Sequence, residues 1–194
     1  MQKPSVVLAS GSRHRADLLK RILPDFTIDS PDVDERLLEN ESADRYVTRL
    51  AQKKAYAVLD RHPESLIIGS DQACVLRDRI LGKPADHQAA VNQLLQASGR
   101  VVTFVTGVCL LNTADETAQV DVVPFRVRFR RLEADQVERY LAREPAYDAA
   151  GSFHSEGLGI SLFDRMEGGD PTALVGLPLI RLVSLFRDQG LVIP

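Results

Sequence analysis

The pattern of hydrophobic and polar positions divides the chain into alternating strand-like and helical segments. Short apolar, β-branched runs predict strands at 5–9, 26–30, 66–76, 101–111 and 120–129. Apolar positions at helical spacing predict helices at about 14–23, 43–60, 86–97, 134–143 and 178–188. Strands that alternate with helices are typical of an α/β protein.

The last two predicted strands form a different pattern. Residues 101–111 are apolar, residues 112–119 are polar, and 120–129 ends with apolar positions that alternate with arginines. An alternating strand has one solvated face, which is more typical of antiparallel pairing. Residues 101–129 therefore predict a hairpin, and the whole sheet is expected to be mixed.

Length, charge and cysteine content narrow the class of protein. The chain has 194 residues, enough for one domain, or one domain of two lobes, and its formal net charge of −3 argues against a broad nucleic-acid surface. It has no apolar run of about 18 residues and no signal-like N-terminal segment. Cys74 and Cys109 lie in apolar runs, as buried free thiols do. We expect a cytoplasmic protein that binds neither membrane nor nucleic acid.

The first strand leads into an unusual stretch, SVVLASGSRHR at 5–15. Ser12 can cap the helix that follows, and the N–H groups of a helix N-terminus suit a phosphate. Ser10 adds a hydroxyl donor, and Arg15 lies in the first turn, where the helix dipole disfavours a cation unless an anion compensates. The alternative is a plain strand-to-helix turn with surface arginines.

Two further stretches place charged groups beside apolar ones. Asp71 interrupts the apolar run 66–76, and a buried carboxylate is costly unless it is paired or binds a metal. Alternatively, the strand ends at Gly69 and Asp71 begins a turn. Lys83 follows, held between a glycine and a proline, a turn that is usually a surface feature.

Helix 43–60 carries a lysine on its apolar face. Lys54 falls within the stripe formed by Ala43, Val47, Leu50, Ala51 and Val58. Such a lysine either extends along the apolar surface to solvent or reaches a buried anion. Asp34 and Glu35, just upstream, are an acidic pair of a kind common in loops.

A glycine-rich segment near residue 155 is the last candidate. Residues 151–159, GSFHSEGLG, combine three glycines, two serines and Glu156, as ligand-binding loops often do. A dinucleotide fingerprint is not completed, and the chain has no GxxxxGK[ST], HExxH, CxxC or GxSxG motif. A plain turn, with a surface His154, is the alternative.

Taken together, these groups suit metal-assisted hydrolysis of a polyphosphate. Lysine and arginine neutralise phosphate oxygens. Carboxylates hold a hard divalent cation, and one carboxylate can deprotonate the attacking water.

The chain resembles the Maf family of nucleoside triphosphate pyrophosphatases. LASGSRHRADLL is similar to its LASxSPRRxxLL signature, and the similarity continues in order along nearly the whole chain, through the stretches at 34–35, 50–55, 69–71, 82–84, 98–99, 106–107 and 175–178. The resemblance implies one Maf-like, inosine-triphosphatase-like domain over 1–194, with two lobes, a central mixed, twisted sheet and a cleft between the lobes. It also implies cleavage of the α–β phosphoanhydride with a divalent cation, Mg²⁺, Mn²⁺ or Co²⁺, and often a homodimer.

Site residues follow from the family motif. The resemblance implies phosphate binding by Ser10, Ser12 and Arg15. It implies Asp71 as the proton acceptor, with Lys54, Lys83 and Glu35 as further catalytic groups. Glu35 and Asp71 are also the implied metal ligands.

Substrate choice is implied by three further positions, His14, Gln72 and Glu156. Ser70-Asp71-Gln72 and Ser155-Glu156-Gly157 resemble the branch associated with 7-methyl-GTP, which would be cleaved to 7-methyl-GMP and pyrophosphate before incorporation into nucleic acid. Arg13 and His14 depart from the signature, which has proline and then arginine or, in this branch, often tryptophan. The alternatives are a dTTP/UTP pyrophosphatase of the same family and a nucleotide-binding regulator of cell division with little turnover.

Overall fold

The computed structural model describes residues 4–194 and has the predicted α/β class. Its strands are β1 Ser5–Leu8, β2 Thr27–Ile28, β3 Ser65–Leu76, β4 Arg79–Leu81, β5 Val101–Asn112, β6 Thr117–Phe129 and β7 Phe163–Glu167. Its α-helices are α1 Arg13–Lys20, α2 Ala43–Tyr56, α3 His87–Ala97, α4 Ala134–Arg143 and α5 Leu179–Asp188. Short 3-10 helices cover Leu59–Arg61, Leu158–Leu162 and Pro171–Val175. Within the described residues, no helix is long and apolar enough to cross a membrane.

Most predicted elements are confirmed, with corrections at their ends. The strand predicted at 26–30 is only the exposed pair Thr27–Ile28, and the helix predicted at 43–60 ends at Tyr56. β3 runs through Asp71 to Leu76, so the alternative that the strand ends at Gly69 is wrong. Strands β4 and β7 were not predicted.

The chain divides into two compact units. Unit 1 contains the described residues up to Gln72, together with Val105–Val123 and Asp170–Pro194. Unit 2 contains Ala73–Phe104 and Pro124–Gly169. Strands β3, β5 and β6 each contribute residues to both units.

Unit 1 has apolar layers on both faces of its strands. β1 pairs in parallel with β2 and with β3, with Val7 opposite Ile67. Alternate β1 residues point to opposite faces. Val6 and Leu8 pack with α1 and α5, whereas Val7 and Ala9 pack with Ala51 and Ala55 of α2. Burial on both faces explains why these strands are almost continuously apolar.

Unit 2 contains antiparallel pairs. β4 pairs with the end of β3, and β7 pairs with the end of β6. β5 and β6 are neighbours, and the Phe129 N–H donates to the Arg100 carbonyl at 2.8 Å, far from their turn, as the predicted hairpin requires. Four buried rings pack edge to face with centroids 4.9–5.4 Å apart, Phe104, Phe129, Phe153 and Phe163.

Both cysteines are free and buried, as predicted. Burial raises the pKa of the Cys74 and Cys109 thiols to about 12, so both stay protonated at neutral pH and are poor nucleophiles.

Candidate active site

Lys54 of α2 and Asp71 of β3 form a buried ion pair in unit 1. The Lys54 Nζ donates to Asp71 Oδ1 at 2.6 Å and lies 2.7 Å from Glu35 Oε1. Lys54 and Asp71 are each only 7% exposed, whereas the Glu35 side chain is 53% exposed. Lys54 thus reaches buried and exposed carboxylates and does not extend along the apolar surface to solvent. Among the described residues, no group donates a hydrogen bond to Asp71 Oδ2.

Two glycines let α2 approach the strands closely enough to form this pair. A Cβ at Gly69 would lie 2.0 Å from the Ala51 carbonyl oxygen, and one at Gly107 would lie 2.5 Å from the Val47 carbonyl oxygen. Real Cβ atoms do not approach a carbonyl oxygen so closely. The backbone of α2 therefore packs directly against these two glycines. Gly69 lies two residues before Asp71 and Ala51 three residues before Lys54, so the contact positions the ion pair.

The segment after β1 brings the predicted phosphate-binding residues together. The Arg15 backbone N–H donates to Ser12 Oγ at 3.4 Å, which confirms Ser12 as the helix cap. The Ser12 N–H and the Arg15 Nη1 both donate to Ser10 Oγ at 3.2 Å. Hydrogen bonds therefore link Arg15 to both hydroxyl oxygens at the start of α1.

Arg15 is held by protein groups as well. Its Nε donates to the Gly176 carbonyl at 2.8 Å. Burial lowers the pKa of the Arg15 guanidinium, and the charges of Asp71 and Glu35 oppose this effect. These nearby carboxylates and the carbonyl account in part for a cation in the first helical turn. Arg15 therefore interacts electrostatically with Asp71 of the ion pair and with Glu35.

Ser70 and Gln72 flank Asp71 and bind the chain near the 3-10 helix Pro171–Val175. The Ser70 hydroxyl lies 2.8 Å from the Gly107 carbonyl and 2.9 Å from the Gly176 carbonyl, so these two acceptors share its single proton. The Gln72 Nε2 donates to the carbonyls of Ala173 and Leu174 at 2.6 and 3.1 Å. The side-chain nitrogen of Gln72, which is implied as a specificity residue, therefore binds the backbone of the 3-10 helix Pro171–Val175.

Lys83 and Glu156 belong to unit 2. Lys83 is exposed just after β4, where the preceding Gly82 carbonyl accepts from Gln93 Nε2 at 3.0 Å. Glu156 is exposed in a turn, and its Oε2 accepts from Ser155 Oγ at 3.0 Å. His14, by contrast, belongs to unit 1 and is exposed near the start of α1.

Glu144 fixes the turn that carries Glu156. Its carboxylate accepts from the backbone N–H groups of Leu158 and Gly159 at 2.8 and 3.2 Å, and from the Tyr140 hydroxyl at 2.8 Å. A Cβ at Gly157 would lie 2.2 Å from Glu144 Oε2, so a side chain at this position would displace the carboxylate. Glu144 thus braces the end of residues 151–159, which form the braced loop.

Sequence reasoning missed Tyr46, which lies beside the ion pair. Its hydroxyl donates to the Glu35 carbonyl at 3.0 Å. Burial raises the pKa of the Tyr46 phenol, and the charges of Asp71 and Glu35 add to the rise, so the group is a neutral donor. The sequence does indicate that Tyr46 and Lys54 lie on the same side of α2, because they are eight residues, about two helical turns, apart.

Comparisons with known proteins identify the family. The profile of the family described as Maf-like protein matches residues 5–189. A protein of Alcanivorax borkumensis named 7-methyl-GTP pyrophosphatase is 50% identical over 193 residues, covering 100% of this chain and 98% of that protein. One of the same name from Pseudomonas fluorescens is 52% identical over 189 residues, covering 97% and 98%. A solved structure of a Ham1 protein from Coxiella burnetii has a TM-score of 0.46 at 16% identity, covering 67% of this chain and 75% of that one. The match over 5–189 and the full-length relatives show that this chain belongs to the Maf-like protein family.

Proposed function

We propose that this protein is a nucleoside triphosphate pyrophosphatase that converts 7-methyl-GTP to 7-methyl-GMP and pyrophosphate. The observation that carries the proposal is the buried Lys54–Asp71 pair, beside Glu35 and in the same electrostatic environment as Arg15. The full-length relatives named 7-methyl-GTP pyrophosphatase support the substrate. We propose that residues 1–194 form one catalytic domain.

The reaction requires a water molecule to attack the α-phosphorus. Asp71 accepts the proton of that water through Oδ2, while Lys54 holds the Asp71 carboxylate in position. The bond between the α-phosphorus and the bridging oxygen breaks, and pyrophosphate leaves. Arg15 and the hydroxyls of Ser10 and Ser12 bind phosphate oxygens, and Lys83 is proposed to neutralise further charge.

The carboxylates fit a divalent cation. Arg15 and Lys54 together carry the same amount of charge as Glu35 and Asp71, so these four groups are neutral in sum and do not offset a triphosphate. Glu35 and Asp71 offer the hard oxygen ligands that Mg²⁺ and Mn²⁺ prefer, and Glu35 is exposed enough to turn from Lys54 to an ion. A cation held there would neutralise phosphate charge and act as a Lewis acid.

The base is proposed to be read by Glu156. Guanine presents two N–H donor groups on one edge, and a carboxylate accepts from both. Methylation at N7 makes the base cationic, which further favours a carboxylate. His14 and Gln72 are proposed to influence the same choice more weakly.

The test is a screen for pyrophosphate release from 7-methyl-GTP, GTP, dTTP and UTP with Mg²⁺, Mn²⁺ and Co²⁺. We expect the highest kcat/KM for 7-methyl-GTP. Asp71→Asn should lower kcat by about 100-fold or more, as loss of a general base does. Asp78→Asn, an exposed change in the β3–β4 turn, is the matched control and should keep full activity. A preference for dTTP or UTP would refute the substrate, and no turnover of any triphosphate would refute the enzyme.

A cytoplasmic location and a homodimer also belong to this proposal. The two buried free thiols support a reducing compartment. Light scattering of the purified protein would measure the mass of the oligomer, and a monomer at micromolar concentration would refute the dimer.

A further inference from the structure

The loop that carries Glu35 is held by side chains of α2. We define the acidic loop as residues 34–41, which contain no helix or strand. Its first three backbone carbonyls each accept one hydrogen bond from α2. The pairs are Lys53 Nζ to Asp34 at 3.0 Å, Tyr46 hydroxyl to Glu35 at 3.0 Å, and Arg49 Nη2 to Arg36 at 3.1 Å.

The far end of the acidic loop is fixed by the same arginine. Arg49 Nε donates to Glu41 Oε1 at 2.6 Å, and Nη2 donates to Oε2 at 2.7 Å. Glu41 Oε2 also accepts from the Leu38 N–H at 3.1 Å. The hydrogen bonds from Arg49 lower the pKa of Glu41, whose side chain is only 7% exposed.

The three donors have the spacing of one helix face. Residues 46, 49 and 53 follow one another at intervals of three and four, which places their side chains in one row. The Arg49 guanidinium also lies over the Tyr46 ring, 5.6 Å from its centroid. The three side chains bind three successive carbonyls of the acidic loop. We therefore treat Tyr46, Arg49 and Lys53 as one unit and call it the clamp.

We infer that Tyr46 is a positioning residue for the Glu35 carboxylate, and that the clamp of Tyr46, Arg49 and Lys53 sets the affinity for a divalent cation. This inference rests on the proposed function, in which Glu35 is a metal ligand. Glu35 is more exposed than its partners Lys54 and Asp71, so its position depends on how its backbone is held. Tyr46 holds the carbonyl of that same residue, through a neutral donor on a rigid ring.

The test compares Tyr46→Phe with Tyr56→Phe. Each removes one hydroxyl from α2, but Tyr56 is exposed and, within residues 4–194, makes no side-chain hydrogen bond. Three quantities are measured: hydrogen exchange of the Leu38 amide, the Kd for Mn²⁺ by calorimetry without nucleotide, and kcat and KM for 7-methyl-GTP. Loss of one hydrogen bond should raise exchange and the Mn²⁺ Kd about 5-fold and lower kcat by a similar factor, with little change in KM. Tyr56→Phe should change none of them.

Two outcomes would overturn the inference. Unchanged exchange in Tyr46→Phe would mean that the hydroxyl does not order the acidic loop. Faster exchange with an unchanged Mn²⁺ Kd would mean that the clamp is structural only. A wild-type protein that releases no pyrophosphate would refute the proposed function instead, and hydrogen exchange would still report on the clamp.

Discussion

At the scale of single residues, Lys54 is a buried cation with two carboxylate partners. Removing a charge from water is costly, and the cost is offset only when a partner of opposite charge is close and well oriented. Lys54 has two such partners, Asp71 at 2.6 Å and Glu35 at 2.7 Å. Its proposed role in nucleotide binding is therefore linked to its effect on stability, because a change at Lys54 also leaves these carboxylates without their partner.

Lys54→Met should destabilise the fold as well as weaken nucleotide binding. Methionine fits the apolar face of α2, but it leaves Asp71 buried without its cation, which costs about 3–5 kcal/mol. The double variant Lys54→Met/Asp71→Asn removes the orphaned charge and should recover most of the loss. Urea unfolding of the two single variants and the double variant measures the coupling.

Lys20→Met is the control for this cycle. Lys20 is exposed at the end of α1, and its ion pair with Asp17 is 3.9 Å long, so the change should alter the unfolding free energy by less than about 0.5 kcal/mol. Strictly additive effects of the Lys54 and Asp71 changes would show that the buried pair is not coupled.

Single residues were predictable where they broke a local pattern. Lys54 interrupts an apolar stripe and Asp71 an apolar strand, and both are buried. The position of Tyr46 on the same side of α2 as Lys54 was readable, but the hydrogen bonds that Tyr46 and Arg49 make to the acidic loop were not. Their partners are backbone carbonyls, which leave no trace in the sequence.

At the scale of elements, the contact between α2 and β3 decides the geometry of the site. Gly69→Ala places a methyl group 2.0 Å from the Ala51 carbonyl oxygen, so α2 must move away from the strand. We expect a loss of about 1–3 kcal/mol of stability, typical of overpacking, and a clear loss of kcat because Lys54 moves with the helix. Thermal unfolding and pyrophosphate release measure the two effects.

Gly169→Ala is the matched control for Gly69→Ala. A Cβ at Gly169 meets no atom within 4 Å, and its backbone does not require glycine, so stability and kcat should stay close to wild type. Equal behaviour of the two variants would mean that α2 does not rest on Gly69 in solution.

The turn that carries Glu156 should respond to pH through Glu144. Burial raises the pKa of Glu144, but hydrogen bonds from Leu158, Tyr140 and Gly159 outweigh it, so the pKa lies below its ordinary 4.5. A lowered folded-state pKa adds stability above the unfolded value and loses it as the pH falls through the folded value. The difference in unfolding free energy between wild type and Glu144→Gln should thus be large at pH 7 and shrink below about pH 4.5.

Glu64→Gln provides the comparison for this pH series. Glu64 is exposed, and within residues 4–194 its side chain takes part in no hydrogen bond or ion pair. Its difference from wild type should stay small and flat from pH 7 to pH 3. A flat curve for Glu144→Gln as well would contradict the bracing role.

Elements were predictable in proportion to the length of their pattern. Strands β3, β5 and β6 and all five α-helices have enough apolar positions to show a period. β4 has three residues and β7 buries only Phe163, so neither shows alternation, and their pairing depends on neighbours distant in sequence. β2 is shorter than predicted. It is an edge strand whose two residues are exposed and pair only with β1.

At the scale of the whole molecule, the two units carry different parts of the proposed site. Unit 1 provides Arg15, Glu35, Lys54 and Asp71, which are the groups that handle phosphate and water in the proposed reaction. Unit 2 provides the braced loop of Glu156 and also Lys83, which is proposed to neutralise phosphate charge. Changes in the loop should therefore alter which base is accepted without altering how the phosphoanhydride is cleaved.

Glu156→Gln tests this separation. Glutamine replaces one acceptor of the carboxylate by a donor, which would face a donor of guanine. A mismatched donor costs about 1–3 kcal/mol, or roughly 5- to 150-fold in kcat/KM for 7-methyl-GTP. Turnover of dTTP or UTP should be kept or raised, because a pyrimidine edge suits an amide that both donates and accepts. The measurement is kcat/KM for 7-methyl-GTP, GTP, dTTP and UTP on wild type and variant, with Glu167→Gln, an exposed change on β7, as the control. An equal loss on all four substrates would place Glu156 in catalysis or folding rather than in base selection.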